Sequence, residues 1–206
     1  MTYQFAEVAA PAGAPLLFLL HGTGGDENDL IGLGRQVMPE AHLIAPRGDV
    51  LEGGAPRFFK RLGMGVYDKA DLARATTKLS DFVGTHVGRL QPSLVAALGY
   101  SNGANILASL LMQSPLQIDR AVLMHPLIPF VPDPQPRLAG RRVLITAGRF
   151  DPIAPTALTE RLKGWFGAQG ASTALTWHEG GHEIRQNELV AARDFLAAPP
   201  LAASGN

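Results

Sequence analysis

The segment LVAALGYSNGANILASLL, residues 94–111, narrows the folds open to this chain more than any other stretch. An apolar run ends at Gly99-Tyr100-Ser101-Asn102-Gly103 and helical spacing begins at once, so a strand must feed directly into a helix through a G-x-S-x-G turn. Such a turn is sharp and strained, and it lifts its central side chain clear of the sheet. Gly99 and Gly103 lack the Cβ atoms that would collide with the adjoining strand and helix. Ser101 is left with an exposed hydroxyl at a helix N-terminus, as a nucleophile requires; a plain tight turn is the competing reading.

Along the rest of the chain, short apolar runs alternate with longer amphipathic segments. This pattern predicts an α/β fold, a mostly parallel twisted sheet with helices on both faces. Strands are expected at Leu16–Leu20, His42–Ala45, Leu94–Leu98, Ala121–Met124, Val143–Ala147 and Ala174–Trp177. Helices are expected at Asp26–Gln36, Asp68–Arg89, Asn102–Gln113, Pro155–Gly167 and Glu183–Ala197. With 206 residues, 46% of them apolar, one domain spanning 1–198 is expected, followed by a small, polar, proline-bearing tail at 199–206 that reads as disordered. Both termini read as loose ends. The interval from Pro126 to Gly140 carries five prolines and cannot build a helical subdomain. A lidless, solvent-open site follows.

Charge removes several function classes. Lys plus Arg equal Asp plus Glu at 18 each, so no field draws the chain to nucleic acid or to an anionic membrane. The longest apolar runs fall far short of the roughly 20 residues that span a bilayer. The start, MTYQFAEVAAP, lacks the basic-then-apolar order of a signal peptide. The absence of cysteine excludes disulfides and thiol nucleophiles and fits a cytoplasmic location.

A serine hydroxyl is a weak nucleophile and needs a base, which in turn needs an orienting group. After Val143–Ala147 comes Gly148-Arg149-Phe150-Asp151-Pro152, which puts Asp151 at the C-terminal edge of a strand as the orienting acid. An Asp-Pro turn residue without chemistry is the alternative, and Asp133 is the nearest competitor, one strand earlier. After Ala174–Trp177 comes His178-Glu179-Gly180-Gly181-His182. His182 is the expected base, because the glycine pair can swing it back over the sheet, whereas His178 belongs to the strand end. The order Ser, Asp, His is that of α/β-hydrolases.

The same five residues match the H-E-x-x-H zinc pattern, which works only on a helix, where positions i and i+4 share a face. Two central glycines cost about 2 kcal/mol of helix propensity relative to alanine, the preceding ALTW alternates like a strand, and no clear third ligand follows. No metal is expected. For the oxyanion of acyl transfer, the Asn102 N–H is one expected donor and the Thr23 N–H, in the loop His21-Gly22-Thr23-Gly24-Gly25, is the second. A phosphate cradle is the alternative for that loop, yet neither G-x-x-x-x-G-K-[ST] nor G-x-G-x-x-G is present. His21 precedes Ser101 and reads as a brace for the loop.

HGTGGDENDL, GYSNGAN, AGRFDPIAP and GGHEI, in this order, resemble the phospholipase/carboxylesterase family of α/β-hydrolases, which includes the acyl-protein thioesterases. PRGDVLEGGAPRFFKRL is similar to a segment of the branch related to bacterial hydroquinone-resistance carboxylesterases. The resemblance implies a cofactor-free serine carboxylesterase for small-molecule esters, with Ser101, Asp151 and His182 as triad, Thr23 and Asn102 as oxyanion hole, and a homodimer as an assembly its members often form. It also implies that Arg57, Phe58 and Phe59 border the acyl pocket; packing of the phenylalanines into the core is the competing reading. The thioesterase branch commonly has glutamine after the nucleophile, where this chain has Asn102, which weakens a depalmitoylase assignment. Thioester, lysophospholipid or polyester hydrolysis on the same triad stays open, as does a non-catalytic binding module that kept the fold. A dienelactone-type hydrolase disagrees with the missing cysteine.

Overall fold

The computed structural model describes residues 2–114, 116 and 118–199. Apart from Pro199, the tail expected at 199–206 lies outside the described residues. In chain order, β1 (Phe5–Val8) and β2 (Leu16–Leu20) precede helix α1 (Ile31–Val37) and β3 (His42–Pro46). Four short strands follow: β4 (Val50–Glu52), β5 (Ala55–Arg57), β6 (Arg61–Gly63) and β7 (Val66–Tyr67). Then come α2 (Lys69–Leu90), β8 (Val95–Tyr100), α3 (Asn102–Gln113), β9 (Arg120–Met124), β10 (Arg142–Gly148), α4 (Thr156–Ala168), β11 (Ser172–His178) and α5 (Gln186–Ala197).

The main sheet has the order β1-β3-β2-β8-β9-β10-β11, and every pairing is parallel except β1 with β3. Successive side chains of a strand point to opposite faces, and β2 shows the result. Leu16, Phe18 and Leu20 join a core with α2, α3 and α4, while Leu17 and Leu19 join a second core with α1 and α5. The α/β fold with helices on both faces is thus built from runs such as LLFLL, which are apolar on both sides because both sides are covered.

Three expectations need correction. The N-terminus is not loose through Phe5–Val8, which pairs antiparallel with β3 as an edge strand; only one side of it is covered, so its FAEV pattern carries a weak apolar signal. Helix α1 begins at Ile31 rather than Asp26, because Asp26 and Asp29 accept bonds from nearby backbone amides and hold residues 26–29 in turns. Helix α5 begins at Gln186 rather than Glu183, since Glu183 folds back onto the Gly181 N–H and the Arg185 side chain. Helix α3 spans Asn102–Gln113 as expected, and α2 starts after Asp68, whose carboxylate caps it by accepting from the Asp71 N–H.

The proline-bearing interval after β9 runs extended, with one 3-10 turn at Pro136–Leu138, and no helical lid is found among the described residues. No helix among the described residues is long and apolar enough to cross a membrane.

Candidate active site

Ser101 sits between β8 and α3 at φ 52°, ψ −113°, a conformation that L-residues adopt only under constraint. The constraint is visible. The Ser101 N–H donates to the Met124 carbonyl at 2.9 Å, and a Cβ on Gly103 would overlap the Leu20 carbonyl while one on Gly99 would overlap that of Gly103. Both glycines of the motif are therefore required by close backbone approach.

The Ser101 Oγ–H donates to His182 Nε2 at 2.8 Å, and His182 Nδ1–H donates to Asp151 Oδ2 at 2.7 Å. Asp151 Oδ1 accepts from the Ile153 and Ala154 amides at 2.7 and 3.0 Å, so the Asp-Pro turn itself fixes the carboxylate. The Tyr100 hydroxyl donates to the His182 carbonyl at 2.6 Å and anchors His182 from the residue beside the serine. Gly148 lies against the Gly180 and Gly181 carbonyls, bringing the loops of Asp151 and His182 into contact.

His125, one residue beyond β9, lies in no local motif that marks it as functional. Its Nδ1 is 3.0 Å from Asp151 Oδ2 and its Nε2 is 3.1 Å from Glu188 Oε1, all with fully buried side chains. An imidazole that faces a carboxylate on each side needs a proton on each nitrogen. Burial opposes that charge, but the carboxylates of Glu188 and Asp151 overcome it and raise the His125 pKa above its ordinary value. Burial alone would raise Asp151 as well; the bonds from His125, His182 and the two amides hold it below the usual carboxylate range. Glu188 is also held low, accepting from His125, from the Thr146 hydroxyl at 2.6 Å and from the Arg185 amide at 2.7 Å. The available signal was positional: a histidine directly after an apolar strand, at the same sheet edge as the other site loops.

A cavity of about 280 Å³ opens at Ser101 and His182 and is lined also by Thr23, Asn102, Arg57 and Arg61. The Thr23 and Asn102 amides find no backbone acceptor among the described residues, and both residues border the cavity beside Ser101. His21 is buried behind them; its Nε2 accepts from the Gly48 N–H at 2.9 Å, so Nδ1–H donates to the Gly22 carbonyl and the ring braces the loop. Of the three expected pocket residues only Arg57 lines the cavity. Phe58 and Phe59 are fully buried in the core, Phe58 beside Tyr3 and His21 and Phe59 beside Tyr67. This corrects their expected contact with substrate, because an aromatic ring that fills the space under a loop gains more than one left at a wet rim. The rim is instead supplied by the β6–β7 hairpin, through Arg61, Met64, Gly65 and Tyr67.

His178 ends β11, and residues 179–183 form bends rather than a helix, so His178 and His182 do not share a helical face. The described groups close enough to hold an ion are His125, Asp151 and His182, and His125, His178 and Glu188. Both are subsets of the hydrogen-bonded cluster just described.

No protein-family model matches the chain. The chain is 44% identical over 182 residues to MhqD of Bacillus subtilis (strain 168), which is named as a hydrolase; the match covers 87% of this chain and 91% of the relative. Among solved structures it is similar to protein Atu2452 of Agrobacterium tumefaciens str. C58, a protein of unknown function, at 52% identity and TM-score 0.88 over 95% of this chain and 96% of that one. It is also similar to a Bacillus cereus carboxylesterase, at 38% identity and TM-score 0.85 over 92% and 91% of the two chains. Sequence, sheet topology and these relatives agree, and the chain belongs to the phospholipase/carboxylesterase family of α/β-hydrolases.

Proposed function

We propose that this protein is a serine carboxylesterase that cleaves short carboxylic esters through an acyl-enzyme. The observation that carries the reading is the unbroken chain from Ser101 Oγ through His182 to the buried Asp151 carboxylate, at the floor of a cavity. Ser101 Oγ attacks the ester carbonyl carbon as His182 Nε2 takes its proton. The carbonyl oxygen, now negative, is received by the Thr23 and Asn102 amides; removing one such donor typically costs on the order of 3 kcal/mol of barrier. Collapse expels the alcohol, which takes the proton back from His182. Water, deprotonated by the same nitrogen, then releases the acid and restores Ser101.

Asp151 holds the His182 tautomer and offsets the charge the ring acquires. His125 is a positioning residue: it fixes Asp151 Oδ2 from behind and keeps the carboxylate ionised. A cavity of about 280 Å³ lies near the lower edge of the roughly 300–1,000 Å³ usual for small-molecule sites and accommodates a short acyl group. The Asn102 side chain, the residue that departs from the thioesterase branch, accepts from the Phe58 N–H at 2.8 Å and so ties the rim segment to the nucleophile turn.

The test is turnover of p-nitrophenyl acetate and butyrate. Ser101→Ala is expected to lower kcat by about 10⁴-fold or more, and a fluorophosphonate probe is expected to label the wild type but not the variant. Unchanged turnover in Ser101→Ala overturns the assignment.

A further inference from the structure

The polar lining of the cavity is one-sided. Arg57, Arg61, Asn102, Asn105 and Thr23 border it together with the serine and histidine, and among the described residues no carboxylate does. Arg57 is 3% exposed, an unusual burial for a cation. Its Nη1 donates to Thr23 Oγ1 at 2.7 Å and its Nε to the Phe59 carbonyl, while its Nη2 has no acceptor among the described residues. Arg61 uses Nε on Glu52 and turns Nη1 toward the Met64 sulfur; its Nη2 likewise has no acceptor among the described residues. Among the described residues Glu52 is the one carboxylate that pairs with either arginine, at 3.2 Å from Arg57 and 2.9 Å from Arg61, and its side chain is 42% exposed. Two guanidinium groups therefore share one solvated counter-charge. Burial and the nearby Arg61 push the Arg57 pKa below its ordinary value, the signature of a cation short of compensation.

We propose that this cavity selects esters whose acyl part carries a second, anionic carboxylate, the half-esters of short dicarboxylic acids, and that Arg57 and Arg61 receive that carboxylate. The inference rests on the esterase reading given above. Its physical basis is that a buried cation is costly when its counter-charge is shared and solvated, and that a guanidinium N–H makes a strong charge-assisted bond to a carboxylate. Its location supports an acyl-side anion. Arg57 touches the side chain of Thr23, whose amide receives the scissile carbonyl oxygen, so a carboxylate on Arg57 stands a few bonds from the reacting carbon. The volume of about 280 Å³ accommodates a short diacid. The covalent steps are unchanged: Ser101 Oγ bonds to the ester carbon, the alcohol leaves with the proton from His182, and water releases the dicarboxylate.

The experiment compares monoethyl glutarate with ethyl pentanoate by proton release at constant pH 7.5, for wild type, Arg61→Gln and Arg57→Gln. The expected result is a kcat/KM for the half-ester on the order of tenfold or more above that for the neutral ester, a ratio that falls toward unity in Arg61→Gln. Arg61 is the cleaner site because Arg57 also braces Thr23; the ratio, rather than either rate, is the readout. An enzyme that hydrolyses ethyl pentanoate but not the half-ester, or both equally, overturns the substrate class. A preference that survives both substitutions overturns the role of the arginines. If both ethyl esters and p-nitrophenyl acetate are inert, the esterase reading fails and this inference with it.

Discussion

At the scale of single residues, the site depends on a charge that the reaction never transfers. His125 lies between Asp151 and Glu188 as a buried imidazolium, at φ 53°. Replacing it with glutamine leaves two buried carboxylates without their shared cation, so His125→Gln is expected to lose on the order of 3 kcal/mol of stability. A kcat/KM fall of about 10- to 100-fold is also expected, as for other groups that orient a working side chain from behind. The pH dependence has a definite sign. Because the folded pKa of His125 is raised, its contribution is present below the ordinary histidine value near 6.5 and fades as pH climbs through the folded value. Asp151 and Glu188 are lowered, so their contributions hold above the ordinary carboxylate value and fade as pH falls through the folded one. Thermal midpoints measured from pH 6 to 9 should decline in the wild type and decline less in His125→Gln; parallel curves would sink the assignment of the charge. Ser101, Asp151 and His182 were readable as a hydrogen-bonded set because each lies in a local motif. His125 was not, since its partners are 26 and 63 residues away and nothing beside it marks the role.

At the scale of elements, the site is a set of loops gathered at one sheet edge, and glycine decides how close they come. A Cβ on Gly148 would overlap the Gly181 and Gly180 carbonyls and force apart the loops after β10 and β11. Displacement of a catalytic group by about 1 Å can cost on the order of 100-fold in rate. Gly148→Ala is therefore expected to keep its circular dichroism spectrum and lose about that much kcat/KM; full activity would show that the loops can part without cost. Long parallel strands and helices such as α3 were legible because their apolar pattern is continuous over enough residues for a period to show. The strands β4 to β7 were not. Each has two or three residues, too few for a period to show, and they pair as hairpins on a rim whose shape depends on distant contacts.

At the scale of the whole molecule, two cores flank one sheet, and the segment 57–59 divides its labour between core and cavity. Arg57 faces the cavity, whereas Phe58 is fully buried among Tyr3, His21 and Asn102. Phe58→Ala is expected to cost about 3–5 kcal/mol by urea denaturation, with a far smaller effect on KM for a short ester. A KM change that outruns the stability loss would return Phe58 to the pocket. No local pattern distinguishes the two phenylalanines from pocket residues, because an apolar ring suits either place. The site also has a consequence for how the molecule matures. Thr23, Ser101, His125, Asp151 and the segment that carries both His182 and Glu188 come from five separate parts of the chain and meet at one edge, so each bond between those parts closes a long loop, the slow kind of contact in folding. During synthesis the hydrogen-bonded chain of Ser101, His182 and Asp151 cannot close before His182 has left the ribosome. After dilution from denaturant, the return of ester turnover should lag the return of helical signal and report completion of the topology rather than collapse of the chain.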